Sequence, residues 1–219
     1  MDAGKLKKRL SNLNPIDRTS EVVFGTLMAM SFSGTLSVAT AGEQDVDTMM
    51  LAALGCNLAW GLTDAVMFLV AEVTERRRRL TLLTRLRHTK DHAEADRLIA
   101  DELPPRLQTH TDPAVFESFR RSLLMANEKE DRILTIRSIL DAIQVFLLVV
   151  LSTFPIVLPF ILIQEPVHAL RISNLMGLLT LFASGYLLGR HAGGNPLRFA
   201  FGLSLIGALM IGAIIALGG

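Results

Sequence analysis

Long apolar runs alternate with short polar breaks along this chain, except for one extended polar stretch in its middle. Five runs reach the roughly 20 mostly apolar residues that a membrane-crossing helix needs. They are residues 22–42, 49–71, 139–163, 169–189 and 197–219. Residues 72–138 are polar and densely charged, and residues 1–21 form a short basic tail. The pattern predicts an all-α integral membrane protein with five transmembrane helices and a cytoplasmic helical domain inserted between spans two and three. The predicted divisions are a tail over 1–21, spans one and two over 22–71, the helical insert over 72–138, and spans three to five over 139–219.

The insert reads as a helical hairpin. Residues 72–103 contain no Gly or Pro and read as helix throughout, with Leu80, Leu83 and Leu86 at helical spacing on one face. Pro104 and Pro105 end that segment. Asp112 followed by Pro113 is a good start for the next helix, because Asp caps and Pro suits the first helical position. That second arm is expected to run on into span three. Pro155 and Pro159 lie one turn apart in FPIVLPF and should bend span three, freeing backbone carbonyls.

Charge then gives an orientation. Lys5, Lys7, Lys8, Arg9 and Arg18 precede span one, Arg76 to Arg79 follow span two, and Arg190 and Arg198 follow span four. The loop EQDVDT between spans one and two has no Lys or Arg, nor does QEPVH between spans three and four. By the positive-inside rule the N-terminus and the insert are cytoplasmic and the C-terminus lies outside. The membrane is expected to be the plasma (inner) membrane if the source is bacterial. The tail lacks an adjacent short apolar core and a small-residue cleavage site, so it reads as a retained tail.

Composition sharpens the picture in two places. Charged residues are 20% of the chain yet nearly absent from the runs, which is the segregation a bilayer imposes. Basic residues interleave with acidic ones, without aromatics between them, so no nucleic-acid partner is expected. The lone Cys56 has no internal partner for a disulfide and reads as a small hydrophobe.

Polar groups inside the runs are the candidates for chemistry, because a charge in a span is costly. Asp64 lies within span two, with Asn57 before it and Glu72 after it near one helix face, a stripe running from the membrane toward the insert. Met28 and Met30 in span one carry thioethers that suit transition metals, although methionine also serves as apolar filler. In the insert, Glu72, Glu75, Glu94, Asp96, Asp101, Glu102, Glu117, Glu128, Glu130 and Asp131 offer carboxylates to a divalent cation. His88 and His92 stand four apart, with Asp96 a turn further. Against this, Arg and Glu at such spacings commonly form a solvated, salt-bridged helix face. Small residues repeat as Ala29, Ser33 and Ser37 in span one, Gly185 and Gly189 in span four, and Ala208, Gly212 and Ala216 in span five. Such faces let helices approach closely and suggest a homodimer with a central cavity. The spans carry no Ser/His pair, HExxH or paired aspartates, so enzymatic activity is not expected.

Taken together, LGCNLAWGLTDAV, FPIVLPFIL, LFASGYLLGR and GGNPLRFAFGLSLIGALMIGAIIALGG give the chain an organisation that resembles the vacuolar iron transporter family. The resemblance covers most of the membrane part. It implies five spans, a cytoplasmic helical domain between spans two and three, and a dimer. It also implies export of ferrous iron or manganese from the cytoplasm in exchange for protons, with glutamates of the helical domain collecting the metal. The metal is then a transported substrate, and no permanently bound cofactor is implied. The chain departs from the family pattern in two places. Met28 and Ala29 stand where the family's first span carries Asp-Gly, and Leu62 stands where its second span carries Glu. On this reading Asp64 is the membrane carboxylate. The alternative is a protein of the same fold that moves no metal and acts as a scaffold or moves another solute.

Overall fold

The computed structural model describes residues 14–39, 46–89, 91–103, 113–125 and 134–218. Those residues form eight helices and no strand: α1 (Pro15–Ala39), α2 (Val46–His88), α3 (His92–Ala100), α4 (Pro113–Leu124), α5 (Ile136–Ser152), α6 (Phe154–Leu162), α7 (Pro166–Ala192) and α8 (Pro196–Gly218). The chain divides into two compact units, one of Met1–Phe68 with Arg137–Gly219 and one of Leu69–Ile136. Helix α2 is continuous through the division.

The first unit turns large apolar side chains outward and buries its polar ones within the core. Leu175 and Leu179 on α7, and Leu205, Ile206, Leu209 and Leu217 on α8, are each more than half exposed. Thr26, Ser33, Asn57, Thr153 and Ser173 are at most 1% exposed. Water would penalise that arrangement, whereas lipid tails accept outward leucines and drive polar groups to the interior. Four segments among the described residues are long and apolar enough to cross a bilayer: within Met50–His88, and Ile136–Leu162, Pro166–Ala192 and Pro196–Leu217. This is an integral, multi-pass membrane protein. Helix α1 is apolar from Val22 onward and packs against α7 and α8; residues 40–42 of the predicted first span lie outside the described residues.

Three of the membrane helices begin where the sequence supplies a cap. Asn14 Oδ1 accepts the Asp17 amide at 2.9 Å ahead of α1. Glu165 precedes Pro166 and accepts the amides of Val167 and His168 at 3.2 and 2.7 Å. Asn195 precedes Pro196 and accepts those of Leu197 and Arg198 at 3.0 and 3.3 Å. In each case a side-chain oxygen satisfies amides that a helix start leaves without partners. Helix α7 closes on Gly193 at φ 75°, with the Gly194 amide reaching back to Gly189 O at 3.1 Å. A left-handed residue is what this type of helix stop requires, and glycine adopts it without strain.

The proline pair does break the third span. Helix α5 stops at Ser152 and α6 begins at Phe154, with Pro155 in its first turn and Pro159 inside it. Hydroxyl groups gather at the break: Ser152 Oγ donates to Val149 O at 2.6 Å, and the Thr153 amide bonds to Val150 O at 3.2 Å. Across the bundle Ser173 Oγ of α7 donates to Ile156 O of α6 at 2.7 Å. The unit's core is built from Ala29, Met30, Ile156 and Leu181.

In the second unit, Leu86, Ala95, Ile99 and Phe116 form a small core between α2, α3 and α4. Two expectations about its helices are corrected. The segment 72–103 is not helix throughout: α2 ends at His88, and Asp91 starts α3 by accepting the Ala93 amide at 3.0 Å. An Asp cap interrupts the helix without any Gly or Pro. The second arm starts at Pro113 as expected but does not run into span three as one helix. Helix α4 ends at Leu124, and residues 134–135 ahead of α5 are not helical.

Candidate functional site

Helices α1, α2 and α5 meet closely in the membrane unit, and glycine makes that possible at two points. A Cβ on Gly25 of α1 would lie 2.7 Å from Val149 O of α5 and would also strike Ser152 Oγ. A Cβ on Gly61 of α2 would lie 3.2 Å from Phe146 O. Asn57 of α2 ties it to α1 and to the break after α5: its Nδ2 donates to Gly25 O at 3.1 Å and to Thr153 Oγ1 at 2.5 Å. Phe24 of α1 meets Trp60 of α2 edge to face, with ring centroids 6.2 Å apart.

These contacts put the start of α1 beside the stretch of α2 that carries Asp64. One carboxylate oxygen of Asp64, Oδ2, is sealed from the surface and has no hydrogen-bond partner among the described residues. Glu21, one residue ahead of the predicted first span, is close enough to feel the Asp64 charge. Burial raises the Glu21 carboxyl above its ordinary range, and repulsion from Asp64 and then Asp17 adds to the shift. No ion pair to Glu21 or Asp64 occurs among the described residues. The arrangement is therefore an acidic pair spanning two helices and deficient in positive charge. A proton or a cation is the species that relieves it.

The other membrane candidates part company here. Asn57 is 1% exposed, and its amide ties helices together, which is a structural task; its Oδ1 has no partner among the described residues. Met28 is half-buried on α1. Met30, by contrast, is filler in the core, packed against Ile156 and Leu181. Gly185 and Gly189, read from the sequence as a face available to a second subunit, pack within the chain: Cβ atoms there would lie 2.6 Å from Phe199 O and 2.7 Å from the Pro196 Cα.

Four of the insert's carboxylate candidates are paired with arginine. Glu72 binds Arg76 at 2.6 Å and Glu75 binds Arg79 at 3.2 Å, each one turn apart on α2. Glu102 is held by Arg78 through Nε and Nη2 at 3.2 and 2.7 Å. Glu117 is held by Arg120 at 2.7 Å and Arg121 at 3.1 Å. Desolvation alone would raise the Glu117 carboxyl, but the hydrogen bonds and charges of Arg121 and Arg120 outweigh it and hold it low. His88 Nδ1 donates to Thr84 O at 2.8 Å. His92 begins a different helix, and its Nδ1 lies 2.7 Å from Arg120 Nη1. The two histidines therefore do not share one helical face. His88 and Glu94 do border one open cleft of about 690 Å³, together with Arg85, Thr89, Asp91 and Leu98. Asp96 is half-buried on α3, and Glu128 lies outside the described residues. Among the described residues no three His, Cys, Asp or Glu side chains converge as a metal-binding group.

Glu21 was missed in the sequence because it sits in the polar tail. Its signal was available in the helix start at Asn14-Pro15, which carries α1 ahead of the apolar run and makes Glu21 part of that helix. No protein-family model matches this chain, and no curated protein matches it.

Proposed function

We propose that this protein is a transporter of divalent metal, iron or manganese, resembling the vacuolar iron transporters. It crosses the membrane five times, with the N-terminus and the insert in the cytoplasm, and exports metal in exchange for protons. The observation that carries the reading is the Asp64 carboxylate, with one buried oxygen lacking a partner among the described residues, close enough to Glu21 on the neighbouring helix to repel its charge. A cation leaving water loses hydration, and two carboxylates at the rim of an apolar bundle offset that cost. Between cations, a proton on the pair removes the repulsion, which gives exchange between the two species a physical basis. A homodimer fits the small face of α8, where a Cβ on Gly212 would meet nothing within 4 Å.

Uptake of iron(II), manganese, cobalt and zinc into proteoliposomes tests the reading. At least one of the four ions is expected to enter, more slowly with Glu21→Gln. Failure of the folded parent to move any of them refutes it. The second reading, a scaffold or a carrier of another solute, is favoured by one observation: Glu72, Glu75, Glu102 and Glu117 are already neutralised by arginines. Such pairs remove four of the insert's carboxylates from the set available for collecting metal.

A further inference from the structure

The hairpin of α7 and α8 carries two arginines without acidic partners. Arg190 lies in the last turn of α7 and Arg198 in the first turn of α8. Both are exposed, and neither forms an ion pair among the described residues. The helix ends that bear them are held tightly together. A Cβ on Gly189 would lie 2.7 Å from the Pro196 Cα, and one on Gly185 would lie 2.7 Å from the Ala200 Cα. On α7, Leu179, Phe182, Tyr186 and Arg190 recur every three or four residues and so share one face. On α8, Arg198, Phe201 and Leu205 do the same. Phe182 and Phe201 meet edge to face with ring centroids 5.3 Å apart, which brings the two faces to one seam. The seam is open: Leu179, Tyr186, Phe201 and Leu205 are 55, 39, 64 and 60% exposed.

We infer that this seam binds an anionic phospholipid, with Arg190 and Arg198 on its phosphate and an acyl chain along the apolar side chains. A guanidinium group matches phosphate oxygens with paired N–H donors. Arginines near helix ends reach out of the apolar layer to the headgroup level, where a lipid phosphate lies. Two cations without a paired carboxylate favour a headgroup of net negative charge over a zwitterionic one, whose ammonium they would repel. Arg190 stands eleven residues beyond Leu179, or about 16 Å at about 1.5 Å per residue. That length matches one leaflet, about half of a hydrocarbon core roughly 30 Å thick. Gly212 and Ala216, on the small face of α8, lie beyond the seam. The inference goes beyond the transport reading and needs no transported ion.

Photolabelling of the full-length protein in phosphatidylcholine liposomes tests it, with a trace of phosphatidylglycerol carrying a photoreactive group in its acyl chain. Peptide mass spectrometry maps the labelled residues. Phe201 and Leu205 are expected to label at least threefold above Leu147 and Leu151 of α5, which are 45 and 57% exposed and report on unselected lipid. An excess of unlabelled phosphatidylglycerol over the probe should suppress that labelling at least threefold, while the same excess of zwitterionic phosphatidylethanolamine leaves it unchanged. With Arg190→Gln and Arg198→Gln combined, labelling should fall to the α5 level, whereas Arg171→Gln, near the other end of α7, leaves it unchanged. Labelling of Phe201 and Leu205 no stronger than that of α5, as unselected lipid or a subunit contact would give, overturns the inference on the parent alone. Equal suppression by the two lipids overturns it too, and both parent results stand if the double variant does not fold. Parent-level labelling in a folded double variant also overturns it.

Discussion

Adding a single methyl at Gly25 probes the packing that brings the acidic pair together. The new Cβ would sit 2.7 Å from Val149 O and 3.1 Å from the Val149 Cα, both backbone atoms that no rotamer change can move aside. Inserting atoms into a filled contact costs about 1–3 kcal/mol. Replacing a helical glycine by alanine also gains roughly 0.5–1 kcal/mol of helix preference. Gly202→Ala collects only that gain, because its Cβ meets nothing within 4 Å. The difference between the two variants is thus the packing term alone, about 1–3 kcal/mol. At about 2–4 °C per kcal/mol for a chain of this size, Gly25→Ala should melt roughly 2–12 °C below Gly202→Ala. Thermal denaturation of the detergent-solubilised variants, followed by size-exclusion profile, measures it. Equal melting of the two would refute the close approach of α1 to α5.

Other expectations follow from single contacts. Asn57→Leu should lower thermal stability by about 1–3 kcal/mol, since Gly25 O and Thr153 Oγ1 lose their donor; loss of transport with unchanged melting would make Asn57 a ligand instead of a tie. Glu165 caps α7, and the amide of His168 holds its carboxyl below the ordinary range, despite some desolvation, with further help from the His168 ring and the Val167 amide. Because the folded value is depressed, that stabilisation is complete above the unfolded value and is lost as pH falls through the folded one. The melting difference between the parent and Glu165→Gln should therefore shrink on acidification, and a difference that grows would contradict the capping role. Cysteine labelling in intact cells should find residues 43–48 reachable from outside and the segment around Arg77 reachable only from inside; the opposite pattern reverses the orientation.

Apolar runs of bilayer length were legible because lipid imposes them residue by residue, and α5 to α8 lie where hydropathy put them. The break between α5 and α6 was legible too, since Pro155 and Pro159 cannot continue a regular ladder. The break after His88 was not, because it depends on the Asp91 side chain choosing the Ala93 amide, a choice any exposed Asp offers. Pairing of the insert's acids was half legible: the partners one turn apart, Arg76 and Arg79, follow from helical spacing, whereas Arg78 reaching Glu102 depends on how the chain turns back. The acidic pair illustrates the same limit. Asp64 stood out as a charge in an apolar run, but Glu21 acquires its meaning only from the packing of α1 against α2, which hydropathy does not encode.

In the proposed transport cycle Asp64 exchanges a metal ion for a proton. The most direct measurement is manganese uptake into proteoliposomes recorded together with internal pH, for the parent and for Asp64→Asn. The parent is expected to move manganese with a proton flux in the opposite direction. Asp64→Asn is expected to melt like the parent but to lose both fluxes. Manganese uptake by a folded Asp64→Asn at the parent rate, with the proton flux intact, would contradict it.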